Sequence, residues 1–149
     1  NILTNHAIQN NKITVFGGSQ LRPNLHVQDY CDAAELLMFA PKEKISNQIF
    51  NVGTQNLSIS EIAKLVKSLV EKEFPDKKNI DIVTTTSDDL RSYHINSDKI
   101  KKLLNFIPKY TVQDAIKSLC HAYKDNLFQN SLEDDIYYNV KRLMRLKVK

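Results

Sequence analysis

The chain has 149 residues, of which 42% are hydrophobic and 26% charged, a composition typical of one globular domain with its own core. No apolar run approaches the ~20 residues that a membrane-spanning helix requires, and no stretch has the pattern of a signal peptide, so we expect no membrane partner. The net charge of +4 is mild and gathers in the tail, residues 141–149, which predicts a solvated face and leaves nucleic-acid binding as an unlikely alternative.

The first elements are predicted to be a helix, a short strand and a turn. Residues 2–9 place apolar side chains at roughly helical spacing, and residues 12–16 (KITVF) alternate and are β-branched, which is typical of a strand. Gly17 and Gly18 then allow the positive φ angles of a tight turn. Because the chain begins with Asn1 rather than Met, inside a predicted helix, we expect a fragment or a processed chain.

The next segment is predicted to pass from a short extended piece into a helix. Residues 25–27 form the extended piece, and Asp29 is placed to cap a helix over residues 30–39 by accepting a backbone N–H. Cys31 and Cys120 fall inside predicted helices far apart in the sequence, so we expect buried free thiols in a reducing compartment. No two of the four histidines share a ligand spacing with a cysteine, so we expect no metal site.

Two further strands are predicted between helices in the rest of the chain. The apolar run at residues 48–53 (QIFNVG) ends in glycine, and residues 79–85 alternate, so each predicts a strand. Ser58 has Glu61 three residues later, which is the capping-box spacing, and Thr111 is placed to cap a longer helix. Strands that alternate with helices indicate an α/β domain.

Four stretches, in this order and at these spacings, resemble a known family. They read ITVFGGSQLRPNLHVQD, QIFNVG, SISEIAKLV and DDLRSYHINSDKIKKLLNFIPKYTVQDAIKSL. Together they are similar to the C-terminal part of the NAD-dependent nucleotide-sugar epimerase/dehydratase family, the extended short-chain dehydrogenases to which UDP-galactose 4-epimerase belongs. The resemblance covers roughly residues 1–125.

The resemblance implies a fold and a division of the chain. The fold would be α/β, the C-terminal substrate-binding part of a Rossmann-type extended short-chain dehydrogenase, with short strands alternating with helices. Residues 1–125 would form this substrate-binding region. Residues 126–149 would be an amphipathic helical extension beyond the family match, because residues 132–146 carry apolar side chains in helical register.

The features with which the family binds NAD and transfers protons do not fall within this match. NAD is bound at a glycine-rich loop between the family's first strand and helix, which Gly17, Gly18 and Gly53 are not placed to form. The catalytic tyrosine and lysine of the family are four residues apart. Tyr137 and Lys141 have that spacing, but they follow the whole substrate region with no cofactor fold before them, so we reject them. The resemblance implies that NAD and the catalytic residues belong to an N-terminal half outside this chain.

Arg22 is the first candidate for substrate binding, and it is the only arginine among the first ninety residues. It resembles the family arginine that precedes the HV-x-D segment and grips the diphosphate of the nucleotide sugar. A diphosphate favours a bidentate, permanently charged guanidinium over a lysine, and Pro23 would stiffen the turn that aims it. The alternative is a surface arginine that pairs with Asp29 or Asp32.

Arg91 is the second candidate, because the family often has a substrate-binding arginine near this loop. In the 4-epimerase pattern that arginine stands a few residues earlier, at positions that Thr85 and Thr86 occupy here. Arg91 therefore either replaces the second phosphate contact or pairs with one of the two acids before it, Asp88 and Asp89.

Asn1 and His26 complete the set of singled-out residues. Asn1 resembles a family asparagine that opens the first helix of the substrate domain and touches the nucleotide, and a plain polar residue at a chain end is the alternative. His26 is expected to be a buried, hydrogen-bonded structural residue rather than an acid or base.

The resulting prediction is the substrate-binding part of a cytoplasmic, NAD-dependent epimerase or dehydratase, inactive without its other half. The partner would be a UDP-, GDP- or dTDP-sugar, and the family's habits suggest a homodimer. The alternative is a non-catalytic module that binds a nucleotide sugar or another protein, for which the amphipathic C-terminal helix is the motivating feature.

Overall fold

A computed structural model describes residues 1–89 and 91–147 of the chain. The helices are α1 (Ile2–Asn10), α2 (Val27–Phe39), α3 (Lys42–Ile45), α4 (Ile59–Glu73), α5 (Asp98–Leu104), α6 (Val112–Lys124) and α7 (Asn139–Arg145). The strands are β1 (Lys12–Phe16), β2 (Leu21–Asn24), β3 (Gln55–Ser58) and β4 (Asp81–Thr85). A 3-10 turn spans Asp135–Tyr137. In the described ranges no helix is both long and apolar enough to cross a membrane.

The strands pair in two separate two-stranded sheets. β1 runs parallel to β4, with Lys12 opposite Asp81 and Phe16 opposite Thr85. β2 runs antiparallel to β3, and Arg22 lies opposite Leu57. Parallel pairing across an intervening helix is the hallmark of α/β folds, so the predicted fold class is confirmed.

The main core lies between β1, α1, α4 and α6. Its fully buried side chains alternate along β1, at Ile13 and Val15, and meet Val66 and Val70 of α4. Both long helices begin in complete capping boxes, Ser58 with Glu61 and Thr111 with Asp114, as the spacing predicts for α4. Satisfying the first backbone N–H groups in this way fixes where α4 and α6 start.

A second, smaller core corrects the predicted strand at residues 48–53. The structure gives no strand there, and β3 begins two residues later at Gln55. Phe50 and Val52 instead pack against a buried cluster of Ala33, Ile100 and Phe106. The apolar pattern of this run therefore reflects side-chain burial without a backbone partner, a distinction that hydrophobicity alone does not make.

The start of α2 differs from the prediction in two ways. Residues 25–27 are not a strand, because the extended piece is β2, four residues earlier, where β3 provides a backbone partner. His26 caps α2, since its Nδ1 atom accepts the backbone N–H of Gln28 at 3.1 Å. Asp29 is not the cap but a fully buried member of the first turn. His26 is half-buried, so its structural role is confirmed and its predicted full burial is wrong.

The predicted burial of both cysteines is half right. Cys120 on α6 is fully buried, whereas Cys31 is exposed on α2. The stripe of α2 that faces the small core runs through Ala33 and Leu36, and Cys31 lies off that stripe.

The predicted helix at residues 132–146 is broken into two pieces. The 3-10 turn ends at Tyr137, and the extended backbone of Tyr138 (φ −127°, ψ 97°) separates it from α7. The carboxylate of Asp134 accepts the N–H of Ile136 at 3.0 Å and so starts the first piece. Val148 and Lys149, the end of the basic tail, lie outside the described residues, as does Leu90.

Candidate functional site

A tight turn between β1 and β2 sets the position of Arg22. Gly17 and Gly18 adopt φ angles of 77° and 115°, which side chains rarely tolerate. The nearly buried Gln20 fills the inside of this turn: its Oε1 accepts the N–H of Gly18 at 2.6 Å, and its Nε2 donates to the carbonyl of Phe16 at 2.9 Å. These hydrogen bonds stabilise the turn and fix the direction in which β2 begins.

The guanidinium of Arg22 is anchored along one side. Its Nη1 atom donates to the backbone carbonyls of Leu21, at 2.9 Å, and Arg91, at 2.5 Å. Its Cζ atom lies 5.3 Å from the ring centroid of Tyr93. The side chain is 28% exposed, and its Nε and Nη2 atoms donate to no acceptor within the described ranges. A guanidinium fork of this kind retains one edge for a planar anion.

Asp89 is the counter-ion of both candidate arginines. Its Oδ1 accepts a hydrogen bond from Nε of Arg91 at 2.7 Å, and its Oδ2 accepts one from Nη2 of Arg91 at 2.9 Å. The same Oδ2 lies 3.6 Å from Nη2 of Arg22. Hydrogen bonds from the Arg91 side chain and backbone lower the pKa of Asp89 to about 2. The side chain of Arg91 is 72% exposed, so this pair lies in water.

A cavity of about 710 Å³ has both Arg22 and Asn1 in its wall. Its floor is apolar and comes from one face each of α4 and α6, at Ile59, Ile62, Val66, Val112, Ala115, Ile116 and Leu119. Arg91 is not among its lining residues. The structure thus brings together two of the three predicted site residues in one cavity, whereas Arg91 reaches the site through Asp89. The volume lies within the range usual for small-molecule sites, ~300–1,000 Å³.

The cavity edge near Arg22 is held by a buried carboxylate. Asp29, fully buried, accepts the backbone N–H groups of Lys109 at 2.8 Å and Tyr110 at 3.0 Å. The ring of Tyr110 then stacks on His26, with centroids 4.6 Å apart, and both side chains line the cavity. These contacts fix the position of the connector before α6. The sequence pattern did not indicate them.

The backbone N–H groups of the glycines do not fit the pyrophosphate of NAD. The N–H of Gly17 donates to the carbonyl of Thr85 at 2.9 Å, and that of Gly18 donates to Gln20. The N–H of Gly53 donates to the hydroxyl of Ser97 at 2.9 Å. Since each of these donors already has a partner in the chain, the glycines offer no cradle of the kind that binds dinucleotides.

Tyr137 and Lys141 do not form a catalytic pair in the described structure. Tyr137 ends the 3-10 turn, and Lys141 belongs to α7 beyond the extended Tyr138. The ammonium of Lys141 lies over the ring of Tyr138, 4.5 Å from its centroid. In residues 1–89 and 91–147 no group of three or more His, Cys, Asp or Glu side chains is arranged to hold a metal ion.

A family model for the NAD dependent epimerase/dehydratase family matches residues 1–53. The dTDP-glucose 4,6-dehydratase of Neisseria meningitidis is 27% identical over 151 residues, which covers 93% of this chain and 41% of that protein. These matches support the predicted NAD-dependent epimerase/dehydratase family for this chain. The matches bear out the predicted family, and the chain spans 34% to 41% of the length of these curated relatives.

Solved structures support the α/β fold of this chain. A dTDP-glucose 4,6-dehydratase from Bacillus anthracis, solved with NAD, has a TM-score of 0.65 at 24% identity and covers 84% of this chain and 38% of its own. A UDP-glucose 4-epimerase from Thermotoga maritima, solved with UDP-glucose, has a TM-score of 0.66 at 22% identity and covers 85% of this chain and 39% of its own. At these identities the likeness establishes the fold.

Sequence reasoning did not single out three features of this candidate site. Asp89 was named only as one of two acids that might pair with Arg91, and its approach to Arg22 spans 67 positions of sequence. For Asp29 the sequence predicts only a helix cap. Tyr137 and Asn139, near the C-terminal end of the chain, also line the cavity. A signal existed only for Asp89, whose spacing of two residues from Arg91 permits a local ion pair.

Proposed function

We propose that this chain is the substrate-binding part of an NAD-dependent nucleotide-sugar epimerase or dehydratase, and that Arg22 holds the diphosphate. The observation that carries the proposal is the placement of Arg22 in the cavity wall, with Nη1 bonded to two backbone carbonyls. Within the described ranges the Nε–Nη2 edge forms no hydrogen bond, and its nearest anionic group is the Asp89 carboxylate, 3.6 Å from Nη2. A permanently charged, pre-aimed fork suits a phosphate better than a lysine. Asn1, in the same wall, would contact the nucleotide.

The chemistry of the whole enzyme requires NAD, which supplies hydride transfer to and from the sugar. The glycine N–H groups described above do not fit NAD, so we propose that NAD and the proton-transferring residues belong to polypeptide outside this chain. The role of this chain would be to hold the nucleotide sugar against the NAD-binding part. The enzyme would be cytoplasmic and act on a UDP-, GDP- or dTDP-sugar. Positioning of a reactant can supply several kcal/mol, of the order of 7–11 at best, of a barrier reduction.

One observation favours a second candidate, a non-catalytic binding module. The tail presents Ile136 of the 3-10 turn and Val140, Leu143 and Met144 of α7 to solvent, and exposed apolar side chains clustered in this way are common in protein-interaction surfaces. A module that binds a nucleotide sugar without catalysis would share Arg22 with the first candidate. The two differ in whether activity appears once the remainder of the enzyme is joined to this chain.

Calorimetric titration tests the role of Arg22 directly. The chain is titrated with dTDP-glucose, UDP-glucose and GDP-mannose, and Arg22→Gln and Arg22→Lys are compared with it. Loss of a charge-assisted bidentate contact should weaken binding roughly 10- to 100-fold in Arg22→Gln, with Arg22→Lys between the two. Arg145→Gln, which removes the same charge from a residue outside the cavity, should bind like the parent chain.

Absorbance of NADH checks the absence of catalysis in the same samples. The chain mixed with NAD and a nucleotide sugar should produce no NADH and no altered sugar. Turnover by these residues alone would overturn the proposed division of labour. Equal affinity in the parent and Arg22→Gln would overturn the assignment of Arg22.

A further inference from the structure

The carboxylate of Asp89 lies where an anion bound by both candidate arginines would lie. Arg91 grips it with two parallel hydrogen bonds, at 2.7 and 2.9 Å, the arrangement with which guanidinium groups also bind phosphate. The oxygen that receives Nη2 of Arg91 is the one 3.6 Å from Nη2 of Arg22. A single carboxylate oxygen thus faces both positive groups.

The loop that carries Asp89 is built to hold this arrangement. The N–H of Arg91 donates to Oδ1 of Asp89 at 3.2 Å, and the hydroxyl of Ser87 accepts the N–H of Asp89 at 3.2 Å. The loop is fastened to β2, because the N–H of Tyr93 donates to the carbonyl of Leu21 at 3.0 Å and the N–H of Leu21 donates to the hydroxyl of Ser92 at 2.9 Å. The carboxylate is therefore part of the structure around Arg22 rather than a passing surface contact.

We propose that Asp89 is an internal substitute for the ligand's anion. In the unliganded chain it pairs with both Arg22 and Arg91, and it thereby selects for ligands with two linked phosphates. The proposal rests on the proposed function, in which Arg22 binds a diphosphate. Asp89 carries one anionic group, whereas a diphosphate carries two, one for each guanidinium. Only a ligand of the second kind can replace every contact that it breaks.

A single phosphate cannot replace all the contacts that Asp89 makes at this site. If it binds Arg22 alone, the carboxylate of Asp89 remains a few ångströms away and repels it. If the phosphate displaces Asp89 from Arg91, this one anionic group must bind both guanidinium groups. A diphosphate satisfies one guanidinium with each phosphate, so the carboxylate penalises single anions more than paired ones.

The same proposal accounts for the position of Arg91. Its side chain is 72% exposed and lies outside the cavity wall, and two hydrogen bonds to Asp89 hold its guanidinium in place. Arginine side chains are long and have several rotatable bonds, so release from Asp89 lets the guanidinium turn towards a bound diphosphate. Arg91 would then supply the second phosphate contact that its sequence position leaves open.

Calorimetry with two inorganic probes tests the proposal on the 149-residue chain. Phosphate and pyrophosphate are each titrated into the parent chain, Arg22→Gln, Asp89→Asn and Asp88→Asn at one low salt concentration. Asparagine keeps the oxygen that accepts the N–H of Arg91, so the loop should stay folded, which circular dichroism verifies. Asp88→Asn makes the same change in net charge at an exposed neighbour that forms no ion pair within the described part of the chain.

The expected result is a loss of selectivity in one variant. Asp89→Asn should tighten phosphate about tenfold, which corresponds to about 1.4 kcal/mol, and pyrophosphate by less, while Asp88→Asn changes either by twofold or less. In the parent chain, pyrophosphate should also shift the ¹⁵Nε resonance of Arg91, because that N–H leaves Asp89. In Asp89→Asn the resonance should start from a position nearer to that of a solvated arginine.

The outcomes separate this proposal from the proposed function. If Arg22→Gln weakens pyrophosphate binding but Asp89→Asn behaves like Asp88→Asn, Asp89 is not a substitute anion and the role of Arg22 stands. If Arg22→Gln binds pyrophosphate like the parent, the proposed function fails. If pyrophosphate binds Asp89→Asn but not the parent chain, the result supports a carboxylate that blocks the site. If pyrophosphate binds neither the parent chain nor Asp89→Asn, both proposals are overturned.

Discussion

Asp29 and Tyr110 are joined by a hydrogen bond across 81 positions of sequence, from the backbone N–H of Tyr110 to Oδ2 of Asp29 at 3.0 Å. The other oxygen of the same carboxylate accepts the N–H of Lys109 at 2.8 Å. Because Asp29 is fully buried, it must be satisfied by the protein itself, and these two N–H groups do so. The connector before α6 is thereby tied to α2, and the ring of Tyr110 is held against His26 at the edge of the cavity.

Replacement of Asp29 should be among the most destabilising changes in this chain. Asp29→Ala leaves two backbone donors without a charged acceptor at a buried site, so the free energy of unfolding in urea should fall by about 3 kcal/mol or more. Asp29→Asn retains one acceptor oxygen and should lose less. Asp32→Asn is the matched control, because Asp32 is on the same helix as Asp29 but pairs with an exposed group, the ammonium of Lys109 at 2.8 Å. This substitution should lower the free energy of unfolding much less. Equal losses in the two Asn variants would contradict the assigned clamp.

Local patterns predicted the parts of this fold that neighbouring residues determine. The strand at residues 12–16 follows from β-branched alternation, and the capping box of Ser58 and Glu61 joins residues three positions apart. The fold class and family followed from several such segments in a consistent order. These features need no knowledge of what lies across the molecule.

Features that depend on distant partners were missed or misplaced. Residues 48–53 have the composition of a strand, but they pair with none of the described strands, and Phe50 and Val52 pack, partly buried, against Ala33, Ile100 and Phe106 instead. Arg22 could be singled out by its chemistry, whereas its contacts with Asp89 and Arg91 bridge 67 and 69 positions. Loop closure of that length leaves no periodic trace in the sequence, so only the fold reveals these pairs.

The two thiols should differ sharply in reactivity. Cys120 is fully buried, and burial together with the charge of Glu73 raises its pKa to about 11, so at pH 8 only about one part in a thousand would be thiolate. Cys31 is exposed on α2. An aromatic disulfide reagent at pH 8 should therefore modify one thiol rapidly in the native chain and the second only after unfolding in guanidinium. Cys31→Ser should lack the rapid phase, and a rapid phase of two thiols in the parent chain would show that Cys120 is accessible.

The capping box of α4 should make stability depend on pH in the acid range. The backbone N–H and the hydroxyl of Ser58 donate to Oε2 of Glu61 at 2.8 and 2.7 Å, and these bonds lower the pKa of Glu61 below its ordinary value of 4.5. A carboxyl whose pKa is lower in the folded state stabilises the fold above its unfolded pKa, and this contribution disappears as the pH falls through the folded value. Glu61→Gln keeps a capping side chain but cannot titrate.

Urea unfolding at pH 7 and pH 3 measures this contribution. The parent chain should lose more free energy of unfolding between the two pH values than Glu61→Gln does. Glu43→Gln, which removes an exposed carboxylate in the first turn of the short helix α3, serves as the charge-matched control and should lose as much as the parent. A parent and a Glu61→Gln chain with identical acid losses would rule out the capping carboxylate as a source of the pH dependence.

The C-terminal strap, residues 126–147, is fastened to α1 and α6 by a small polar network. The hydroxyl of Tyr123 donates to Oδ1 of Asn5 at 2.6 Å and lies 3.1 Å from the hydroxyl of Ser131, which in turn donates to Asn5 at 2.8 Å. Nδ2 of Asn5 donates to the carbonyl of Ser131 at 3.1 Å, and Ser131 is only 4% exposed. Buried polar groups that satisfy one another in this way lose their partners together when one is removed.

Tyr123→Phe should loosen the strap without unfolding the rest of the chain. The variant removes the hydroxyl that links Asn5 to Ser131, at a cost of about 1–2 kcal/mol, so the strap should open roughly 5- to 30-fold more often. Trypsin reports this opening, because Arg142 and Arg145 lie in α7 and become substrates when the strap detaches. Tyr137→Phe is the matched control, since it removes a hydroxyl that bonds to no acceptor among residues 1–89 and 91–147 while keeping the ring packed on Phe128. Early cleavage at these arginines in Tyr123→Phe but not in Tyr137→Phe is the expected pattern, and equal cleavage in both would mean that ring packing, not the hydroxyl network, holds the strap.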